Sequence, residues 1–248
     1  MILTYLNNRF QTISSYEERD IPKSAGFRWD PDLRVWWTVD STKTETLLKY
    51  ADKFAKEKLN GYRETLRASR SAVSDINVPS PPELTYLPFQ KAGIEFARNK
   101  QYTLIADDMG LGKTIQAIGI INSDVSVKRV LVVCPASIKL NWKRELDKWL
   151  VRKYVVEIAK NGFPQSDIVI INYDVLHKYS EEIRSVDWDL LILDECHYLK
   201  SPKTRRTRGV FGEFRKQSPI SAKKTIFLTG TPILNRPIEF WALLIHAM

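Results

Sequence analysis

Two short segments of this chain carry residue types that do phosphate chemistry when brought together. The first, ADDMGLGKT, sets Gly110, Leu111, Gly112, Lys113 and Thr114 between an apolar run, YTLIA at 102–106, and the stretch TIQAIGIIN. Glycines without Cβ atoms let successive backbone N–H groups turn toward an anion, and a helix starting there adds the positive end of its dipole. Lys113 can then reach the β and γ phosphates while Thr114 offers a hydroxyl to Mg²⁺, which is the equipment of an ATP or GTP cradle. Asp107 stands where the first glycine of the GxxxxGKT pattern is usual, so the match is GKT plus its strand and helix.

The second segment is an apolar run, Leu190 to Leu193, leading straight into Asp194, Glu195, Cys196 and His197. An acid at the carboxyl end of a strand beside a phosphate loop holds Mg²⁺ through water, and a following acid orients or deprotonates the attacking water. Asp194 therefore joins Thr114 as a metal ligand, and Glu195 takes the role of base. Each segment alone also has a plain reading, a GKT in an ordinary turn and a pair of solvated strand-end acids; their pairing favours a site.

The elements that must position these residues follow an alternating pattern. Strands are expected at 102–106, 129–134, 168–172, 190–193 and 225–229, with amphipathic helices between them, which predicts a parallel sheet covered by helices on both faces. Upstream, Pro79, Pro81, Pro82 and Pro88 break periodicity, and a domain boundary is placed near 78. Residues 1–78 read as a small α+β module: strands at LTYL, QTISSY and VWWTV, a helical turn at IPKSAG, and a longer helix opened by a Thr42/Glu45 capping box with Leu47, Tyr50, Ala51, Phe54 and Ala55 on its apolar face.

Composition bounds the function. The 248 residues are 44% hydrophobic and 27% charged, enough for a buried core and against general disorder. No run of about 18 apolar residues suggests a membrane span, and MILTYLNNRFQ lacks the build of a secretory signal. Cys134 and Cys196, each in an apolar run, make neither a disulfide framework nor a zinc site. The net charge of +9 favours a polyanionic partner. Residues 198–224 hold nine Lys or Arg and one acid, and Lys203, Arg205, Arg206 and Arg208 in this stretch are expected to meet DNA. A solvated loop is the bland alternative. In the small module, DIPKSAGFRWDPDLRVWWTV sets Trp29, Trp36 and Trp37 beside Arg28 and Arg34, a mixture that suits stacking on bases and gripping phosphate. Because neighbouring strand residues face opposite sides, one of Trp36 and Trp37 can be core while the other is exposed; Arg28, Trp29, Arg34 and Trp37 are the expected contacts.

ADDMGLGKT, VLVVCPASIKLNWKREL, LLILDECHYLKSPKTRRTR and IFLTGTPILNRP, in that order, resemble motifs I, Ia, II and III of superfamily-two helicases, most closely the Swi/Snf-related DNA translocases of the HARP annealing-helicase type and their bacterial and phage relatives. The resemblance covers about residues 84–248. It implies that 79–248 is a first RecA-like ATPase lobe and that ATP with Mg²⁺ is the ligand. It also implies that Gln90 reads adenine, and that His197 couples the nucleotide site to motif III with Thr229 and Thr231 as hydroxyl partners. Ser137 and Lys139 of motif Ia, with Tyr173, would contact or support a DNA strand, Tyr173 being as readily core. Cys196 and Ser201 depart from the family's Ala or Ser and Asn.

The function expected is thus an ATP-dependent DNA translocase, an annealing helicase or fork remodeller, in which DNA (duplex, fork or single-strand junction) and a second RecA-like lobe are the partners. The chain stops in the stretch IEFWALLIHAM, expected to be a helix after motif III, so an N-terminal fragment of feeble ATPase activity is anticipated. The alternatives are a nucleotide-responsive nucleic-acid-binding module without motor activity, or a strand-separating helicase. The expected compartment is the cytoplasm of a bacterial or phage-infected cell, or the nucleus of a eukaryotic one.

Overall fold

The computed structural model describes residues 1–213 and 217–231. They fall into two compact units that meet between Arg70 and Ser71, ahead of the position expected near 78.

In the first unit, β1 (Ile2–Leu6), β2 (Arg9–Ile13), β3 (Arg28–Asp30) and β4 (Val35–Thr38) form an antiparallel sheet in the order β1-β2-β4-β3. Asn7 and Asn8, both at positive φ, make the two-residue turn that suits the twist of the β1–β2 hairpin. Helix α1 (Asp20–Ser24) links β2 to β3. The expected long helix is two elements: a 3₁₀ helix over Ser41–Tyr50, then α2 (Lys53–Ser69). Tertiary pairing divides them, since Ala51 bridges to Leu3 and Asp52 restarts the helix by accepting from the Ala55 amide at 2.7 Å. The predicted capping box is absent as well: Asp40 accepts from the Thr42 amide, and Glu45 pairs instead with Arg63 at 2.9 Å. Leu3, Phe10, Leu47, Ala55 and Leu59 make the core, while Phe54 is exposed.

The second unit is a six-stranded, wholly parallel sheet with the order β5-β10-β9-β6-β8-β7, where β5 is Tyr102–Ile105, β6 Val130–Cys134, β7 Val156–Ile158, β8 Ile168–Asn172, β9 Trp188–Asp194 and β10 Ala222–Leu228. Five of these are the strands expected. Helices α3 (Pro88–Arg98), α4 (Lys113–Ser123), α5 (Lys139–Trp149), α6 (Ser180–Arg184) and α7 (Arg205–Phe211) cover it. Alternate residues along each strand feed two cores. Val130, Val132, Ile168, Ile170, Leu190 and Ile192 pack with Ile94, Ile118, Trp142 and Leu146. Leu131, Val133, Val169, Ile171, Leu191 and Leu193 pack on the other face with Leu176, Ile183, Leu199 and Val210. Both cysteines are buried thiols, one in each core, and burial pushes Cys134 up to about 12. The stretch IEFWALLIHAM lies outside the described residues. Among the described residues no helix is long and apolar enough to cross a membrane.

Candidate nucleotide site and nucleic-acid surface

Register places the chemistry. Leu228 of β10 lies beside Ile105 of β5 on one side and Asp194 of β9 on the other. Three loops therefore leave the sheet at one level: the glycine loop after β5, Thr229-Gly230-Thr231 after β10 and Glu195 after β9. At the usual strand spacing Ile105 and Asp194 are about 10 Å apart.

The glycine loop is shaped by two residues in the left-handed region, Gly110 (φ +85°) and Gly112 (φ +75°), the second being the N-cap of α4. Among the described residues a side chain at Gly110 would meet nothing within 4 Å, whereas one at Gly112 would stand 2.6 Å from Nε2 of Gln90. Lys113 folds over the loop and donates from Nζ to the carbonyls of Asp107 (2.8 Å) and Asp108 (3.1 Å). Thr114 is half-buried at the start of α4 and Leu111 is exposed. Asp107 accepts at 2.6 Å from Nε2 of Gln116, a fully buried residue. Gln90 is buried too. Its Oε1 accepts from the Leu87 amide, capping α3, and its Nε2 donates to the Leu111 carbonyl at 3.3 Å, so it holds the nucleotide loop while serving as a cap.

Asp194 is 6% exposed, with both carboxylate oxygens engaged: Oδ2 accepts from Nε1 of Trp142 at 2.7 Å and Oδ1 from the Glu195 amide at 2.9 Å. Burial raises its pKa to about 6, against the pull of the Trp142 bond and of the nearby Lys113 ammonium. Glu195 has φ +50°, an uncommon conformation for a residue with a Cβ. Its Oε2 is buried and stands 3.1 Å from Nδ1 of His197 without the alignment of a hydrogen bond. That same ring nitrogen is 3.2 Å from the Thr229 hydroxyl, and Thr229 is fully buried. Thr231, the other expected hydroxyl partner of His197, meets Thr229 through its backbone: its amide donates to the Thr229 hydroxyl at 3.1 Å. Gly230 closes the assembly: a Cβ there would stand 3.4 Å from Nζ of Lys113. Among the described residues, the open face at Gly110, the inward-held Asp194 and a Glu195 oxygen that receives no hydrogen bond fit a triphosphate with a divalent cation.

Beside this site, rings continue outward. His197 stacks on Tyr198 with centroids 4.7 Å apart, Tyr198 on Tyr173 at 6.0 Å, and the Arg206 guanidinium lies 5.0 Å from the Tyr198 ring. They border a groove of about 690 Å³ that also meets Lys200, Ser201, Thr204 and Arg205. Tyr173 itself is buried, 3% exposed, and its hydroxyl donates to the Asp194 carbonyl at 2.7 Å. It is a strut beneath the acid pair, which corrects its expectation as a DNA contact and leaves the supporting role. Ser137 is exposed, and Lys139 donates to Oδ1 of Asn172 at 3.1 Å.

The basic stretch 198–224 is not one patch. Lys223 and Lys224 lie at the amino end of β10 and pair there with Asp189 (2.7 Å) and Asp124 (2.8 Å), at the pole opposite the site. Arg206 pairs with Asp174 at 2.7 Å and Arg208 stands 3.7 Å from Glu213, while Lys203 and Arg205 are exposed without an ion pair among the described residues. In the first unit, Trp36 packs on the core and Trp29 is half exposed beside it at 5.4 Å. Trp37, on the other face of β4, lies under the guanidinium groups of Arg9 (5.1 Å) and Arg28 (5.8 Å), and Arg34 is exposed at φ +51°. Sequence reasoning missed Arg9 and Trp142. Neither had a local signal, because one sits across the sheet from Trp37 and the other meets Asp194 from a different helix.

A parallel sheet with a glycine loop after one strand and an acid pair two strands away is a RecA-like nucleotide-binding lobe. The chain belongs to the SNF2-related domain family, whose model matches residues 37–248. It is 35% identical over 187 residues to the SWI/SNF-related matrix-associated actin-dependent regulator of chromatin subfamily A-like protein 1 of Bos taurus, covering 71% of this chain and 19% of that protein. It is 34% identical over 176 residues to the DNA annealing helicase and endonuclease ZRANB3 of Bos taurus, covering 66% of this chain and 16% of that protein. Among solved structures, the Sulfolobus solfataricus SWI2/SNF2 ATPase core in complex with dsDNA resembles it with a TM-score of 0.58 and 26% identity, over 71% of this chain and 37% of that one. The chain thus spans about a fifth or less of these two curated relatives.

Proposed function

We propose that this chain is the first ATPase lobe, with a small recognition module, of an ATP-driven DNA translocase of the annealing-helicase or fork-remodelling type. What carries the reading is the meeting of Lys113, Gly230 and Asp194 at neighbouring strand ends. Lys113 leaves the two loop carbonyls to hold the β and γ phosphates, with the α4 amino end beneath them, and Gln90 reads adenine beside Leu111. Thr114 and Asp194 hold Mg²⁺, which supplies charge neutralisation for the phosphates. Glu195 orients the attacking water and takes its proton, and His197 ties Glu195 to Thr229 so that movement of the motif III loop reaches the base. A second RecA-like lobe completes the cleft and the DNA track. Ser137, Lys139, Lys203, Arg205, Arg206 and Arg208 face DNA from this lobe, and Arg28, Trp29, Arg34 and Trp37 from the module. The work is done where the cell keeps its DNA, the nucleus in a eukaryote.

The test is binding of ATP by the chain with Mg²⁺ and with chelator, followed by turnover of the chain joined to a second lobe on duplex, forked and single-stranded DNA. Lys113→Ala removes nucleotide binding and leaves DNA binding largely intact. Equal loss of both refutes a separate phosphate role, and Mg²⁺-independent ATP binding refutes the metal assignment.

A further inference from the structure

Three buried or nearly buried tryptophans of the sheet unit use their indole N–H groups differently. That of Trp188 donates to the Ile183 carbonyl five residues away, and that of Trp149 finds no partner among the described residues. That of Trp142 donates at 2.7 Å to a carboxylate oxygen 52 residues distant, Oδ2 of Asp194. Trp142 is fully buried in the core between α5 and the sheet, where a phenylalanine would bury comparable apolar surface. The feature that only the indole supplies is the hydrogen bond to the acid.

The geometry points to Trp142 as a positioning residue that orients Asp194 for Mg²⁺ and ties that carboxylate to the segment Ala136–Ile138; this rests on the reading of Asp194 as a metal-holding group. Three observations argue for it. Oδ1 of Asp194 is fixed by the Glu195 amide and its carbonyl by the Tyr173 hydroxyl, so the Trp142 bond completes a three-point hold on one residue. The indole N–H brings no charge of its own beside the carboxylate, whereas an arginine or lysine in the same place would set a competing cation there. Finally, Trp142 stands one turn into α5, and the amino end of that helix follows the exposed residues Ala136 and Ser137 and is anchored by Lys139 to Asn172. A strand of nucleic acid pressing on Ala136–Ile138 therefore shifts the helix that aims the indole.

The experiment compares the 248-residue chain with its Trp142→Phe variant. A fluorescent ADP is titrated in Mg²⁺ and in EDTA, with and without duplex DNA. The expected result is a tenfold or greater rise in the Mg²⁺ needed for half-maximal binding, the usual consequence of losing a group that orients a metal ligand, about 10- to 100-fold. ADP affinity in EDTA stays close to wild type, the melting temperature falls only by the few degrees that one lost hydrogen bond to a buried carboxylate costs, and the effect of Mg²⁺·ADP on DNA affinity shrinks together with the effect of DNA on Mg²⁺·ADP affinity, the two being reciprocal. An unchanged Mg²⁺ requirement overturns the proposal, as does an equal loss with and without Mg²⁺. A wild-type chain whose ADP binding ignores Mg²⁺ overturns the metal reading and this one with it. Should the variant not fold, the indole ¹⁵N–¹H signal of Trp142 in the wild-type chain decides: it shifts with ADP plus Mg²⁺ and not with ADP in EDTA, and a signal indifferent to Mg²⁺ refutes the role.

Discussion

Asp194→Asn exposes how far the site works against the stability of the fold. In the folded chain Asp194 titrates near 6, because burial disfavours its charge, against an ordinary value of 3.8. A raised folded pKa means that the group favours folding fully below 3.8 and that this contribution is lost as pH rises through 6. The difference of about two units corresponds to about 3 kcal/mol at pH 8, and about 1.4 kcal/mol of that develops between pH 5 and pH 8. Asparagine removes the charge but has one acceptor oxygen where Asp194 receives two N–H groups, from Trp142 and from Glu195. One lost bond costs about 1 kcal/mol, leaving a net gain of about 2 kcal/mol for the variant at pH 8. The assay is urea unfolding of both chains at pH 5 and pH 8 without metal. Asp124, held down to about 2 by Lys224 and Ser126 despite its own burial, has finished titrating below this window and does not confuse it. Wild type should lose stability across the interval relative to the variant, while the variant loses Mg²⁺-dependent nucleotide binding. Parallel pH profiles, or a variant less stable at pH 8, would refute the claim that a buried carboxylate is kept charged for a cation.

Further expectations concern the loop and the charged surface. A Cβ at Gly93 would collide with Oε1 of Gln116, the side chain that holds Asp107, so Gly93→Ala should lower stability by about 1–3 kcal/mol and weaken nucleotide binding more than DNA binding. Calorimetry and ADP titration read the two effects, and an unperturbed nucleotide affinity would show that Gln116 does not brace the loop. Neutralising Lys203 and Arg205 together should flatten the salt dependence of DNA binding by about two phosphate contacts. The same change at Lys223 and Lys224 should leave that slope alone, because both are paired at the opposite end of the sheet; a drop there would restore the single basic patch.

What was legible in the sequence, and what was not, follows from the range of the forces involved. Apolar strands such as Val130–Cys134 and Ile168–Asn172 are buried on both faces and announce themselves locally. The three-residue strands Arg28–Asp30 and Val156–Ile158 exist because a neighbour pairs with them, and no run of three residues carries a period. The break at Ala51 and Asp52 was hidden for the same reason: the helical pattern of Leu47, Ala51 and Ala55 is real, and all three are buried, yet a bridge to Leu3 interrupts the backbone between them. Charge summed along 198–224 joined residues that a strand carries to opposite poles. Glycine, lysine and acid positions of the candidate site were readable because the phosphate chemistry proposed for them uses those residue types at strand ends. Their supports, Trp142, Gln116 and the Tyr173 hydroxyl, answer only to contacts made in three dimensions.

The arrangement also explains why the acid pair divides its labour. Asp194 is the last residue of a strand, so its backbone is fixed beside β10 and its carboxylate is held from two sides. Glu195 is the first residue free of the sheet, and the chain turns there through a positive φ. That turn sets the second carboxylate beside His197, in the segment after β9, which in turn meets Thr229 at the start of the loop after β10. Had the strand continued one residue further, the pleat would have sent Glu195 to the other face, into the apolar layer of Leu193 and Cys196. On the proposed reading, the strained residue is thus what lets adjacent acids serve one phosphate: the one held in the strand suits a metal ligand, and the one that leaves the sheet suits a base.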